Sequence, residues 1–307
     1  MSPAVRVLVT GAAGQVGVDL VDTLRALKPP GADPSFQPDA KPVGDDEFAV
    51  FALTRHELDI TNRDVLRSAI ATTRPEVIVH LAAYTQVDKA ESDHVTCFAV
   101  NAQATETMSL AAHDVGAHLN TISTYYFFDG TKGTGYVEDD VTNPLNVYGA
   151  SKRAGELLCA SDDTIMRVSW VMGVRGKNVL HVIAERAAMG ETVRFVDDQV
   201  GTVTLASDMA RALVTTVRER PGGYWHVANT GTTSWFEIAK YAGSLLGRGE
   251  DFATPILTSE LEPRPAATRP ARSDLDTAKW RGQWAALPSW REGVARLLGE
   301  RDRRVQT

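Results

Sequence analysis

Cysteine is nearly absent: the 307-residue chain has two, Cys97 and Cys159, both in helix-like surroundings and without metal-ligand spacing. That excludes a disulfide framework, gives no metal site, and suits a reducing compartment. Long apolar runs are also missing, and none approaches the roughly 20 residues needed to cross a bilayer. Positive charge is in deficit, with 32 Lys and Arg against 39 Asp and Glu and a net charge of -7. A general basic face for a phosphate backbone is therefore excluded, and with it a nucleic-acid role. No charged-then-apolar leader precedes the first strand-like run, so a cytoplasmic protein is expected, without a membrane partner. What remains is 43% hydrophobic, enough to bury a sizeable core in one large or two modest domains.

The N-terminus carries the first pattern with chemical content. Val5 to Thr10 (VRVLVT) is a β-branched run that stops at Gly11-Ala12-Ala13-Gly14-Gln15-Val16-Gly17, and a helical pattern follows through Leu27. Strand, glycine turn and helix in that order bring a backbone close to a pyrophosphate, whose charge meets the free N–H groups at the helix start. A packing turn is the alternative. Residues 28–46, with five prolines and no hydrophobic period, are expected to be an irregular surface excursion.

A second strand, Phe48 to Leu53, ends at Thr54-Arg55. An acidic residue there would grip the ribose 2′-hydroxyl of NAD. A threonine and a cation instead suit the 2′-phosphate of NADP, the alternative being an exposed Arg. NADPH is the expected cofactor, with NADH the second candidate. In Leu58-Asp59-Ile60-Thr61-Asn62, Asp59 either accepts from the adenine amino group or caps the helix beginning at Asn62. Val77 to Leu81 is apolar enough to be buried on both faces and closes in Ala82-Ala83-Tyr84-Thr85, small residues where backbone can pass close to a cofactor. His80 within it is expected to be a core histidine. One helix is expected from about Val95 to Val115, and a strand from about Leu119 to Thr124, taken as the fifth. Strands and helices alternating at this spacing predict an α/β protein with a doubly wound parallel sheet, Rossmann-like, and ligands at the strands' carboxyl ends.

The stretch Ser123 to Lys152 carries the candidate reacting centre. Its Tyr-x-x-x-Lys, Tyr148 to Lys152, puts a phenol and an ammonium on one helical face, where the cation would draw the phenol pKa toward neutrality. The hydroxyl of Thr124 is placed to polarise a carbonyl. Chance alone gives roughly 0.2 such pairs in this composition, so the motif gains its weight from the glycine turn and the strand ending at Ser123-Thr124.

The segments GAAGQVG, LDITN, AAYTQVDKAE, AVNA, FDG, NVYGASKRAGE, VSWV, VDDQVGT and RPARSDL together resemble the dTDP-4-dehydrorhamnose reductase family of extended short-chain dehydrogenase/reductases, over nearly the whole length. The resemblance implies NADPH-dependent reduction of the C4 ketone of a dTDP-linked 4-keto-6-deoxy sugar, with a homodimer left open. By it, Thr124 polarises the carbonyl, Tyr148 gives the proton, Lys152 holds the ribose, and Asn101 supports Lys152. Gly11, Gly14, Gln15, Val16, Gly17, Thr54, Arg55, Asp59, Ile60, Ala82, Ala83 and Tyr84, with Tyr148 and Lys152, form the cofactor set. Val87, Thr124, Tyr125, Trp170 and Arg269 form the substrate set, Arg269 as a guanidinium for the nucleotide diphosphate. A nucleotide-binding part is expected over 1–168, with the chain returning to it at about 202–231, and a substrate lobe over 169–201 and 232–307.

One departure stands inside the site. The family has Ser-Thr-Asp-Tyr where this chain has Ser123-Thr124-Tyr125-Tyr126. A phenol in place of a carboxylate implies a pocket for a less hydroxylated sugar, a di- or trideoxy hexulose of the kind that decorates natural products. The ordinary rhamnose precursor is the alternative. A sugar-nucleotide 4,6-dehydratase would need Thr-Asp-Glu at this point and is set aside. A 4-epimerase with tightly held NAD, and a non-catalytic NADP-binding subunit like the regulatory subunit of methionine adenosyltransferase, are the other readings.

Overall fold

The computed structural model describes residues 3–26, 44 and 46–305. The proline-rich excursion at 28–46 therefore lies outside the described residues, apart from positions 44 and 46. The first half runs β1 (Val5–Thr10), α1 (Gln15–Leu24), β2 (Phe48–Leu53), α2 (Arg63–Thr73), β3 (Val77–His80), α3 (Val87–Ala90), α4 (His94–Phe98), α5 (Ala104–Asp114), β4 (His118–Thr124), α6 (Val147–Leu157) and β5 (Thr164–Val168). The second half runs β6 (Val171–Met172), α7 (Val179–Ala188), β7 (Val193–Val196), β8 (Val200–Thr202), β9 (Thr204–Leu205), α8 (Ala206–Glu219), β10 (Gly223–His226), β11 (Thr232–Ser234), α9 (Trp235–Leu245), β12 (Ala253–Ile256), β13 (Arg272–Ser273), α10 (Ala278–Gln283) and α11 (Trp290–Val305).

Six strands form one parallel sheet in the order β10-β5-β4-β3-β1-β2. The winding reverses between β1 and β3, and a crevice opens there outside the carboxyl ends of the strands. All four residues of β3 are buried, as expected of a strand covered on both faces. On one face Val7, Val9, Val77 and Val79 pack with Leu20, Leu24, Leu213 and Val217 of α1 and α8. On the other, Leu8, Ile78 and Leu119 meet Leu66 and Ile70 of α2 and Met108 of α5. The strand delivering Thr124 is the fourth in the chain, not the fifth.

Two differences from the sequence reading bear on the site. The helix expected over Val95–Val115 is interrupted by a π-helical turn at Ala99–Gln103, between α4 and α5. Such widened turns break the regular ladder at functional sites, and this one carries Asn101. The second concerns the lobe boundary. Trp280, Trp284 and Leu287 lie within the stretch expected to be substrate lobe, yet they pack into the core of the large sheet, both tryptophans against Trp225 of β10. The rest of that lobe has its own core, in which Trp170, Leu180, Ile183, Ile238, Phe252 and Val294 meet.

α6, which carries Tyr148, is fixed at both ends. Asn146 caps it by accepting from Gly149 N at 2.8 Å, a contact worth about 1 kcal/mol. At the other end Glu156 receives Arg167 of β5 in a buried bidentate pair, at 3.1 and 2.9 Å. The guanidinium also lies 4.3 Å from the Tyr224 ring centroid and 4.7 Å from that of Phe127. Glu156 also pairs with Arg153 at 3.0 Å, so it is removal of Glu156 that would strand the buried Arg167 guanidinium, at a cost of about 3 to 5 kcal/mol.

Candidate active site

A cleft of about 700 Å³ opens at the carboxyl ends of the sheet strands. At its floor β1 gives way to α1 through the glycine turn. Gly14 caps α1 with no side-chain bond, so the first amides of the helix have no capping acceptor. Gly11, Gly14, Gln15, Val16 and Gly17 all line the cleft there. Gly17 is required by contact: a Cβ on it would sit 2.2 Å from the Gly11 carbonyl oxygen. Uncapped donors and a positive helix end fit the pyrophosphate of a dinucleotide.

Beyond β2, Arg55 is exposed, lines the cleft and forms no ion pair with any described residue. Thr54 does not join it. Its N–H and its hydroxyl both donate to Glu57 at 2.8 Å, which turns the side chain away. Asp59 and Ile60 line the cleft, but Asp59 does not cap α2. Asn62 does, accepting from Val65 N, while Asp59 accepts from the amide and hydroxyl of Thr61. Those two bonds hold the Asp59 carboxyl below its ordinary pKa, so it stays ionised. Ala82, Ala83, Tyr84 and Val87 line the next wall. Asn101 holds this wall in place: its Oδ1 accepts from Tyr84 N at 2.9 Å and its Nδ2 donates to Tyr84 O at 3.0 Å. It also donates to Ser151. The expected support of Lys152 by Asn101 is not made, because the carboxamide is consumed by the Tyr84 backbone and Ser151.

Thr124 and Tyr148 both line the cleft at its centre, the Thr124 hydroxyl near enough to the phenol to influence it. Burial pushes the Tyr148 phenol above its ordinary pKa, with the Thr124 hydroxyl opposing. The expectation that Lys152 lowers it is therefore corrected. Although four residues apart on α6, Lys152 turns inward and donates from Nζ to the Ile122 carbonyl of β4 at 2.7 Å, off the cleft surface. Burial brings its own pKa down to about 8. His80 is the expected core histidine, its Nδ1 2.8 Å from Thr10 Oγ1 and its pKa brought down to about 3, first by burial and then by Lys152.

The opposite wall is aromatic. Tyr125 stacks on Tyr126 at 4.3 Å between centroids and accepts a hydrogen bond from Trp170 Nε1 at 3.1 Å. Trp170 stacks in turn on Trp235 at 4.1 Å. All four line the cleft. Trp170 holds a left-handed φ of 41°, which costs a non-glycine residue about 1 to 3 kcal/mol and marks a position where the surroundings overdetermine the backbone. Arg269 is not placed as expected. Its guanidinium makes a fork pair with Asp88 at the start of α3, at 2.5 and 2.6 Å, and is off the cleft lining. Sequence reasoning passed over Tyr126, Lys177 and Trp235, all in the cleft wall; Trp235 and Lys177 sit in irregular or element-start positions with no period to reveal them.

Residues 40–303 match the family model described as the RmlD substrate binding domain. A dTDP-4-dehydrorhamnose reductase of Burkholderia thailandensis is 35% identical, covering 94% of this chain and 96% of that protein. A protein of Streptomyces antibioticus named as a probable dTDP-4,6-dihydroxy-2-methyloxan-3-one 4-ketoreductase is 33% identical, over 94% and 93%. Among solved structures, a dTDP-4-dehydrorhamnose reductase of Bacillus anthracis in complex with NADP superposes with a TM-score of 0.86 at 32% identity, over 97% and 99% of the two chains. With its parallel sheet, uncapped α1, and Thr124 and Tyr148 lining one cleft, the chain belongs to the dTDP-4-dehydrorhamnose reductase family of extended short-chain dehydrogenase/reductases.

Proposed function

We propose that this protein uses NADPH to reduce the C4 ketone of a dTDP-linked 4-keto-6-deoxyhexose that lacks one or more further ring hydroxyls. NADPH, when bound, supplies the hydride. Tyr148 supplies the proton to the ketone oxygen, and its upward-shifted pKa keeps it protonated and able to donate at neutral pH. Thr124, lining the same part of the cleft, polarises the carbonyl. The uncapped start of α1 holds the pyrophosphate, and Arg55 the 2′-phosphate.

Tyr125 carries the substrate reading. It is 5% exposed, its oxygen is already engaged by Trp170, and what it offers the cleft is an aromatic ring. A carboxylate there would bind a ring hydroxyl strongly, and a ring does not. The S. antibioticus relative, whose name specifies a dihydroxy methyloxanone, supports the same direction. Loss of a hydrogen bond to a charged acceptor costs about 1.5 to 3 kcal/mol, or roughly 10- to 150-fold in selectivity. Catalytic efficiency is therefore expected to favour dTDP-linked 2,6-dideoxy or 2,3,6-trideoxy 4-ketoses over the rhamnose precursor, and Tyr125→Asp to shift the ratio back. A preference for the fully hydroxylated sugar that Tyr125→Asp leaves unchanged would reject this. The rhamnose precursor itself is the second reading, favoured by the likeness to the B. thailandensis enzyme.

Cofactor choice follows from Arg55. A guanidinium facing a phosphate at a partly exposed site contributes about 1 to 3 kcal/mol, so NADPH should be preferred to NADH by roughly 5- to 150-fold. The preference should collapse in Arg55→Ala. Equal preference in both proteins would remove Arg55 as the selector.

A further inference from the structure

Among the residues lining the cleft just three are charged: Arg55, Asp59 and Lys177. The proposed ligands bring a 2′-phosphate and two diphosphates, one in the cofactor and one in the sugar nucleotide. Arg55, at the end of β2, is assigned to the 2′-phosphate. Arg269 is held by Asp88, and Lys152 by the Ile122 carbonyl. Lys177 is thus the one lining cation left for a diphosphate. It is exposed, and no described residue pairs with it by hydrogen bond or ion pair.

The loop that carries Lys177 is moored to the glycine turn. Gln15 Oε1, on the first residue of α1, accepts from Gly173 N at 3.1 Å and from Asn178 Nδ2 at 3.0 Å. Asn178 closes the loop on itself by donating to Gly173 O at 2.7 Å. Arg175 pairs with Asp22 of α1 at 3.1 Å. Gly176, at φ 79°, lies so near that a Cβ on it would be 2.7 Å from Gln15 Cγ. Two ties to α1 and one close approach bring an unpaired ammonium beside the turn that cradles phosphate.

We infer that the Gly173–Asn178 loop is a diphosphate clamp, fastened to α1 through Gln15 and Asp22, in which Lys177 is the cation that neutralises the diphosphate of a ligand in the cleft. This rests on the reading of the cleft as a site for NADPH and a dTDP-linked sugar. The shared chemistry is the diphosphate, and the experiment separates its two sources. Arg175 is a positioning residue, acting through the loop.

The test titrates NADPH and dTDP separately into the wild-type protein, Lys177→Gln and Arg175→Ala, following tryptophan fluorescence, since Trp170 and Trp235 line the same cleft. Binding of both to the wild type secures the reading of the cleft independently of Lys177. Lys177→Gln is then expected to weaken one of them by about 10- to 100-fold, the effect of removing a charge-assisted contact from a partly enclosed site, and to reduce the salt dependence of its affinity. A loss confined to NADPH puts the clamp on the cofactor, a loss confined to dTDP puts it on the sugar nucleotide, and a loss in both puts it between them. Lys177→Arg should restore most of the affinity, and Arg175→Ala should reproduce a smaller loss with Lys177 intact. Affinities for both ligands within twofold of wild type in a folded Lys177→Gln protein overturn the clamp.

Discussion

Tyr148→Phe is expected to lower kcat by about 10²- to 10⁴-fold while leaving the Kd for NADPH within a few-fold of wild type. The substitution removes one oxygen from a buried ring and nothing that the pyrophosphate or ribose would touch at the α1 end of the cleft. The aromatic contact with Tyr126, edge to face at 5.4 Å, is preserved. Single-turnover rates at saturating NADPH and sugar, beside a fluorescence titration of the cofactor, separate the two effects. Turnover near the wild-type rate would remove Tyr148 as the proton donor, and a large loss of NADPH affinity would recast it as a cofactor ligand.

Lys152→Met is expected to be at least as stable as the wild-type protein at pH 7. The ammonium is 7% exposed and its one hydrogen-bond acceptor is the Ile122 carbonyl. With its pKa brought down from 10.5 to about 8 by burial, the folded protein binds the Lys152 proton less tightly than the unfolded chain does. Between about pH 8 and 10.5 the unfolded state therefore holds the extra proton, and wild-type stability rises with pH across that window. Below it both states are protonated and the penalty is complete, of order 3 kcal/mol at about 1.4 kcal/mol per unit. Met keeps the apolar stem and carries no charge to desolvate, so its advantage should be largest near neutral pH and shrink toward pH 10.5. Chemical denaturation at pH 7 and pH 10 checks the sign. A variant less stable than wild type by the same amount at both would show that the ammonium is not penalised by burial.

The parts of this molecule legible in the sequence are those fixed by local chemistry. VRVLVT followed by Gly11 to Gly17 can hardly form anything but strand, tight turn and helix; β1 lies where the pattern puts it and α1 starts there, although it ends at Leu24 rather than running through Leu27. Tyr148 and Thr124 are brought to one cleft because Thr124 is the last residue of β4 and Tyr148 lies in the first turn of α6. What failed to read through was competition between partners distant in sequence. Lys152 shares a helical face with Tyr148, but spacing does not reveal that the Ile122 carbonyl lies closer than the cleft. Arg269 was expected to await a diphosphate, whereas Asp88, 181 positions away, already holds it. Asn101 could not be predicted to bond the Tyr84 backbone because the π turn that aims it has no signature in AVNA. The same holds for Trp280 and Trp284, whose place in the large-sheet core depends on β10 returning to that sheet.

The reaction proposed for the cleft is reduction of a sugar-nucleotide ketone at the expense of NADPH. The most direct test is to follow NADPH absorbance while the purified protein is incubated with dTDP-linked 4-keto-6-deoxy sugars, and to identify the sugar formed. Loss of NADPH that requires the sugar, equals the alcohol produced and disappears in Tyr148→Phe is the expected result. Cofactor binding without conversion of any sugar, as in a regulatory subunit, or inversion at C4 with no net loss of NADPH, as in an epimerase, would contradict it.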